Sequence, residues 1–289
     1  MKSKNKDYTR LANIFVLVSM SMVLVMLAWN VTLRIDNFNI HQAELAQHSV
    51  NSAADAVELL VDGYIRAVRI FAEENEVVLN NVTLWPQDIE IYTTLKKKVD
   101  KYFPDNFTFT LASSDGETRL EGFEGLVGNS CRTDISTLAI NQSKYETYIH
   151  GGPDGKLRHF DIMSFWKSDT SENEVFFVSF KPDNLERILK NTSVIGHHLV
   201  LLRRNTPGLV DVSDNNLPEL SASKALEPDT LKRISHSIPV PGTLWDVAIL
   251  PEKELYRDAY KSILLQSVLI FFGFLVISII MRTILLDEG

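Results

Sequence analysis

The sequence predicts an α+β domain set between two membrane-spanning helices. Three observations predict it. Two uncharged apolar runs, residues 11–29 and 262–281, each approach the roughly 20 residues a helix needs to cross a bilayer. Between them, a long stretch of helical periodicity comes before a series of short alternating runs separated by turn residues. The intervening region is also polar: from Arg34 to Arg257 there are 23 basic and 33 acidic residues, a net of −10.

The flanks orient the spans. Lys2, Lys4, Lys6 and Arg10 precede the first run, and positive residues stay in the cytoplasm. The expected layout is a cytoplasmic N-terminus (1–10), a first transmembrane helix (11–33), an outside region (34–257), a second transmembrane helix (258–282) and a cytoplasmic tail (283–289). The first run exceeds the roughly 7–15 residues of a signal-peptide core, and the Leu27–Thr32 stretch offers no small-x-small cleavage site. It reads as a retained anchor in the lipid bilayer. The acidic outside region excludes a nucleic-acid partner, which requires a basic face. Cys131 is the single cysteine, so neither an internal disulfide nor a multi-cysteine zinc cluster can form. It reads as a buried, inert thiol.

The elements follow in order. Residues 34–80 predict one helix, with Leu45, Val50, Ala54, Val57, Val61, Tyr64, Val68 and Phe71 recurring at spacings of three, four and seven. Residues 85–103 predict a second, capped near Asp88, with Lys96–Lys98 as a solvated face near its C-terminal end. Residues 107–122 predict two extended runs around Ser114-Asp115-Gly116, and residues 145–166 two more around a Gly-Gly-Pro-Asp-Gly turn. Residues 174–180 predict a fifth strand, and 182–191 a helix. A second set of strands follows at 197–205, 208–214 and, as a pair joined at Pro241-Gly242, within 233–251. A helix from residue 252 leads into the second span. Helices packed on antiparallel sheets make this an α+β fold.

This order resembles the extracytoplasmic Cache sensor domain, a PAS-like module of bacterial transmembrane signalling proteins, in its two-lobed (double Cache) form. The resemblance spans nearly the whole chain. It rests on "SSDGETRLEG" (113–122), on "GTLWDVAILPEKELY" (242–256), and on "GNSCRTDI" (128–135) with the 159–180 stretch, which are similar to sensor regions found ahead of diguanylate-cyclase modules. It implies a two-pass protein of the bacterial inner membrane with its sensor domain in the periplasm. Residues 34–193 would form the long helix and ligand-binding distal lobe, and 194–257 a smaller membrane-proximal lobe. It further implies a small-molecule ligand, a homodimer through the long helices, and a cytoplasmic output domain or partner, here cyclic-di-GMP signalling. No GGDEF, EAL or kinase signature is present in these residues, so that module is expected from a removed segment or another protein. No cofactor is implied, and the chain is expected not to be an enzyme. The rival from another class is a regulatory subunit whose outside domain binds a periplasmic protein.

The stretch "HFDIMSFWKSDTSENEVFFVSF" (159–180) carries the candidate chemistry. On a strand, alternate residues share a face, so His159, Asp161, Met163 and Phe165 share one side and Phe160, Ile162, Ser164 and Trp166 the other. Both sides are largely apolar, which predicts a central strand whose carboxylate requires a partner. Catalysis would need a nucleophile motif and a third orienting group, and none is evident. A metal site would draw on His159, Asp161 and His150, and no metal is assigned. The remaining readings are a structural ion pair and a ligand pocket. The resemblance implies that the pocket lies between the sheet and its covering segment. Its candidates are Arg132, Asp134, Tyr148, His150, His159, Asp161, Trp166 and Ser179, with a carboxylate for a ligand amine and Arg132 for a ligand carboxylate. Arg66 and Arg69 read first as a solvated stripe and alternatively as reaching a pocket, His197 and His198 as pointing to opposite faces, and Trp245 as packing between its lobe and the helices.

Overall fold

The computed structural model describes residues 2–113, 117–120, 129–141, 145–151, 157–166, 174–214 and 220–287. The chain divides into two units, Met1–Leu45 with Glu252–Gly289, and Ala46–Pro251.

The first unit pairs the N-terminal part of α1 (Lys2–Glu74) with α7 (Leu255–Asp287). Both helices are long and apolar enough to cross a membrane, with windows of mean hydropathy 2.3 and 2.7. Polar contacts tie them together. Arg34 donates to Gln266 at 2.8 Å, Tyr260 to Asn39 at 2.7 Å, and Arg282 to Asn13 at 2.9 Å. Phe38 meets the rings of Tyr256 and Tyr260 edge-on.

The second unit is built on two four-stranded antiparallel sheets. The first has the order β1-β4-β3-β2, from β1 (Asn106–Ala112), β2 (Ile149–His150), β3 (His159–Trp166) and β4 (Glu174–Phe180). The second has the order β6-β5-β8-β7, from β5 (His197–Arg203), β6 (Val210–Ser213), β7 (His236–Pro239) and β8 (Trp245–Pro251). Among the described residues each sheet has four strands. Pro207-Gly208 and Pro241-Gly242 do make turns, with both glycines at positive φ (75° and 69°), where a side chain is disfavoured.

The long helix packs on one face of the first sheet. Val50, Val57, Val61, Val68 and Phe71 keep the three-and-four spacing and are buried against Phe160, Ile162, Phe176, Val178 and Phe180. Tyr64 stacks on Phe180 and Phe71 on Phe176. The expected helix does not run to residue 80. It stops at Glu74, and α2 (Glu76–Leu84) follows. Asn75 sits at the break, buried, with its amide donating to the Phe71 carbonyl at 2.9 Å. Lys98 reaches the same side chain at 2.7 Å, so this lysine anchors the break and does not belong to a purely solvated face. It comes from α3 (Ile89–Tyr102), whose cap is Asp88, as expected, accepting from the amides of Glu90 and Ile91.

The opposite face of that sheet is covered by α4 (Asn129–Asn141). Cys131, Ile135 and Leu138 lie on one side of this helix and pack with Ala112, Val175 and Phe177. The run after β1 is not a full strand: Thr118 bridges Ala112, and Arg119 donates to the Leu111 carbonyl. The Ser-Asp-Gly turn (114–116) and residues 152–155 of the Gly-Gly-Pro-Asp-Gly turn lie outside the described residues. Two short helices, α5 (Asp183–Thr192) and α6 (Pro228–Leu231), complete the unit.

Candidate functional site

Strand alternation decides which side chains reach the α4-covered face. Asp161 and Ser179 are direct partners in the β3–β4 register, and His150 and His159 in the β2–β3 register. Asp161 lies on a central strand and is fully buried. Ser179 donates to its Oδ1 at 2.7 Å, and Thr147 donates to its backbone carbonyl at 2.9 Å. His150 Nε2 lies 3.4 Å from Asp161 Oδ2 and 3.1 Å from Asp134 Oδ2, the latter carried down by α4. The Tyr148 hydroxyl meets the other Asp134 oxygen at 3.4 Å.

His159 is held by a different contact. Its Nδ1 is 2.9 Å from the Leu157 carbonyl. A carbonyl only accepts, so Nδ1 carries a proton. Nε2 then faces Cys131 Sγ at 3.6 Å and Asp161 Oδ1 at 3.7 Å. The two imidazoles stack, with ring centroids 5.5 Å apart.

Three buried atoms in this cluster have no hydrogen-bond partner: Asp134 Oδ2, His150 Nε2 and Asp161 Oδ2. They face one another. Buried polar atoms are nearly always satisfied, so three such atoms in one place require an explanation. Burial raises the Asp161 carboxyl above its ordinary value, and the charges of His150 and His159 oppose that rise. Burial likewise pushes up the Tyr145 hydroxyl, helped by the charges of Asp161 and Asp134, and the Tyr148 hydroxyl, helped by Asp134.

Of the residues singled out from sequence, the structure brings together Asp134, Tyr148, His150, His159, Asp161 and Ser179. It does not bring Trp166 to them: that side chain lies on the other face, in the core shared with the long helix. Arg132 stands exposed on α4. Cys131 is buried, as the sequence suggests, and it also touches His159. Tyr145 and Thr147 were not singled out at all. A helix passing over a strand face that its own sequence does not mention leaves no local signal.

A cavity of about 530 Å³ lies next to the surroundings of the cluster, and none of Asp134, His150 and Asp161 lines it. It is lined by Tyr145, Thr147, Met163 and Phe165, and by Arg69 and Glu73 of α1. Arg69 therefore faces a cavity and not only solvent. Tyr145 and Thr147 are common to the cavity wall and the surroundings of Asp161.

Trp245 is fully buried, with its ring edge-on to Phe160. Its indole donates to Asp211 Oδ2 at 2.9 Å. Arg203 grips the same carboxylate with two nitrogens and also donates to the Ile149 carbonyl. The Arg203 guanidinium lies 4.7 Å from the centre of the Tyr148 ring. This ties the second sheet to the edge strand of the first. Trp245 thus touches the first sheet through Phe160 and belongs to the same core as α1 and α5.

No family model and no curated protein matches the chain. Solved structures do. The sensor domain of the Vibrio cholerae histidine kinase DctB superposes with a TM-score of 0.52 at 12% identity, covering 74% of this chain and 98% of that one. The ligand-binding domain of Mlp24, solved with asparagine, gives the same score and identity over 77% of this chain and 98% of its own. Likeness at this level of identity establishes architecture, and the chain has the Cache-type fold of these sensor domains, between two helices apolar enough to span a membrane.

Proposed function

We propose that this protein is a two-pass sensor of the bacterial inner membrane. Its periplasmic domain binds a small molecule on the α4-covered face of the first sheet. Binding biases the position of the long helix and alters a homodimer, and the change passes to a cytoplasmic output module, with cyclic-di-GMP synthesis as the output that the sequence resemblance favours. A ligand shifts such an equilibrium only by its differential affinity for two states. The observation that carries this reading is the convergence of Asp134, His150 and Asp161, three side chains with unmet polar atoms, beside a cavity of about 530 Å³. Buried polar atoms in a core are nearly always satisfied. The fold shared with the DctB and Mlp24 domains supports the same reading.

The test is a thermal-shift screen on the full chain in nanodiscs. The panel holds amino acids, with asparagine among the first, then small carboxylates, amines, nucleobases and divalent metals. A ligand present at about 100 times its dissociation constant adds roughly 2.7 kcal/mol of stability. A shift that disappears in Asp161→Asn supports the reading. Silence across the panel favours the second reading, a subunit that binds a periplasmic protein. One observation speaks for that second reading: Val77, Leu84, Trp85 and Ile89, around the α2–α3 junction, are all exposed apolar side chains.

A further inference from the structure

We propose that Asp134, His150 and Asp161 form a site for a divalent transition-metal ion of the zinc type. This inference rests on the reading of the α4-covered face as the ligand site, and it names the ligand.

The spacing of the three side chains admits a coordinated ion. Zinc binds imidazole nitrogen and carboxylate oxygen at roughly 2.0–2.2 Å, so two ligands of a tetrahedral ion stand roughly 3.3–3.5 Å apart. His150 Nε2 lies 3.1 Å from Asp134 Oδ2 and 3.4 Å from Asp161 Oδ2. One ligand atom from each of the three residues fits within 4.8 Å of the others. A hydrogen-bonded cluster of this spacing would show donors aimed at acceptors. Here the two carboxylate oxygens and the imidazole nitrogen stand within ion-pair distance of one another, yet none of the three makes a hydrogen bond.

The supporting contacts also fit. A metal-binding carboxylate presents one oxygen to the ion while its other oxygen is held in place. Ser179 holds Oδ1 of Asp161, and the Tyr148 hydroxyl approaches Oδ1 of Asp134. Both leave Oδ2 for the ion. The side chains of His150 and Asp161 are 1% and 0% exposed, so bulk water does not solvate their unmet atoms. Two carboxylates at such a site call for a cation.

The donor set selects the class of ion. Calcium takes six to eight oxygen ligands, and one imidazole with two carboxylates does not supply them. An imidazole–carboxylate set suits zinc and its neighbours. Three protein ligands leave a coordination position open, through which the ion would take water or an organic ligand.

Cys131, His159 and Asp161 form a second cluster of metal-binding type that shares Asp161. In the Asp134 set all three candidate ligand atoms lack a hydrogen bond, whereas Cys131 Sγ and His159 Nε2 are not among such atoms. The geometry points to the Asp134 set as the primary site.

The experiment uses the full chain without a histidine tag, in nanodiscs, stripped with a chelator. Zinc is titrated against a fluorescent competitor, and cobalt(II) replaces zinc for absorption spectroscopy. The expected result is one tight ion per chain, with a tetrahedral cobalt spectrum that lacks a thiolate charge-transfer band. His150→Ala and Asp161→Asn each weaken binding by about 100-fold or more, Ser179→Ala by about 10-fold, and Cys131→Ser leaves it unchanged. Asp134→Asn, on a partly exposed helix face, gives the same loss with the least risk to folding, and the metal-free melting temperature of each variant verifies folding. The absence of saturable binding overturns the inference, as does binding that survives His150→Ala combined with Asp134→Asn. A thiolate band lost with Cys131→Ser overturns it too, by moving the ion to the other cluster. If metals do nothing while an organic molecule shifts the melting temperature in an Asp161-dependent way, the metal assignment falls and the ligand-site reading stands. If neither binds, both fall.

Discussion

Arg203 and Asp211 make a buried, two-pronged ion pair: Nη2 lies 2.7 Å from Oδ1 and Nε 3.1 Å from Oδ2. Asp211 also accepts from the Trp245 indole. Removing one partner leaves the other charge buried and uncompensated, which costs about 3–5 kcal/mol. Asp211→Ala is therefore expected to destabilise the chain by that amount in chemical unfolding. Replacing both partners with apolar residues, Arg203→Met with Asp211→Leu, recovers part of the loss. A double variant worse than the single one would show that the pair is strongly net stabilising.

Asp161 gives the opposite sign in the metal-free protein. Its carboxyl is held above the ordinary value of 3.8, so the folded chain binds that proton more tightly than the unfolded chain does. The resulting stability is present at low pH and fades as pH rises from that value through the folded one. His150, His159 and Asp134 face the same group, and they are unchanged in Asp161→Asn. The variant is thus expected to gain stability relative to wild type as pH rises above 3.8 in chelator. A difference that stays flat with pH would mean that the carboxyl ionises without cost.

Lys98 and Lys97 separate a structural lysine from a solvated one. Both are exposed, and Lys98 also donates to Asn75 at the helix break. Lys98→Met is expected to cost about 1–2 kcal/mol, and Lys97→Met less than about 0.5 kcal/mol. Thermal melts of the two variants provide the comparison.

Gly208 and Gly242 both hold positive φ, and a side chain at either pays about 1 kcal/mol for that backbone. Only Gly208 has a neighbour in the way: a Cβ there would meet both Leu231 methyls at 3.3 Å, and one at Gly242 would meet nothing within 4 Å. Gly208→Ala should lower the melting temperature more than Gly242→Ala. Equal losses would mean that Leu231 moves aside freely.

Much of this was legible in the residues. The three-and-four spacing of Val57, Val61, Val68 and Phe71 fixes the buried face of α1, because a helix can present only one such stripe. Strand alternation put His159 and Asp161 on one face and already placed Trp166 on the other, so its distance from the cluster followed from the same rule that found the cluster. Other features depend on which distant elements meet. Asp134 reaches His150 only because α4 crosses above β2, and Arg203 meets Asp211 and Ile149 only because of the sheet order. Lys98 looked solvated because nothing near it in sequence reveals the break at Asn75.

The edge strand β2 has only two residues, and they serve opposite masters. His150 belongs to the cluster under α4, while the amide of Ile149 lies 3.4 Å from Asp211 and its carbonyl accepts from Arg203. One planar peptide separates the two attachments. Thr147, just before β2, also bridges Thr243, and its carbonyl accepts from the Leu244 amide at 2.9 Å. The few residues around β2 thus fasten the cluster under α4 and the second sheet to one short stretch of backbone.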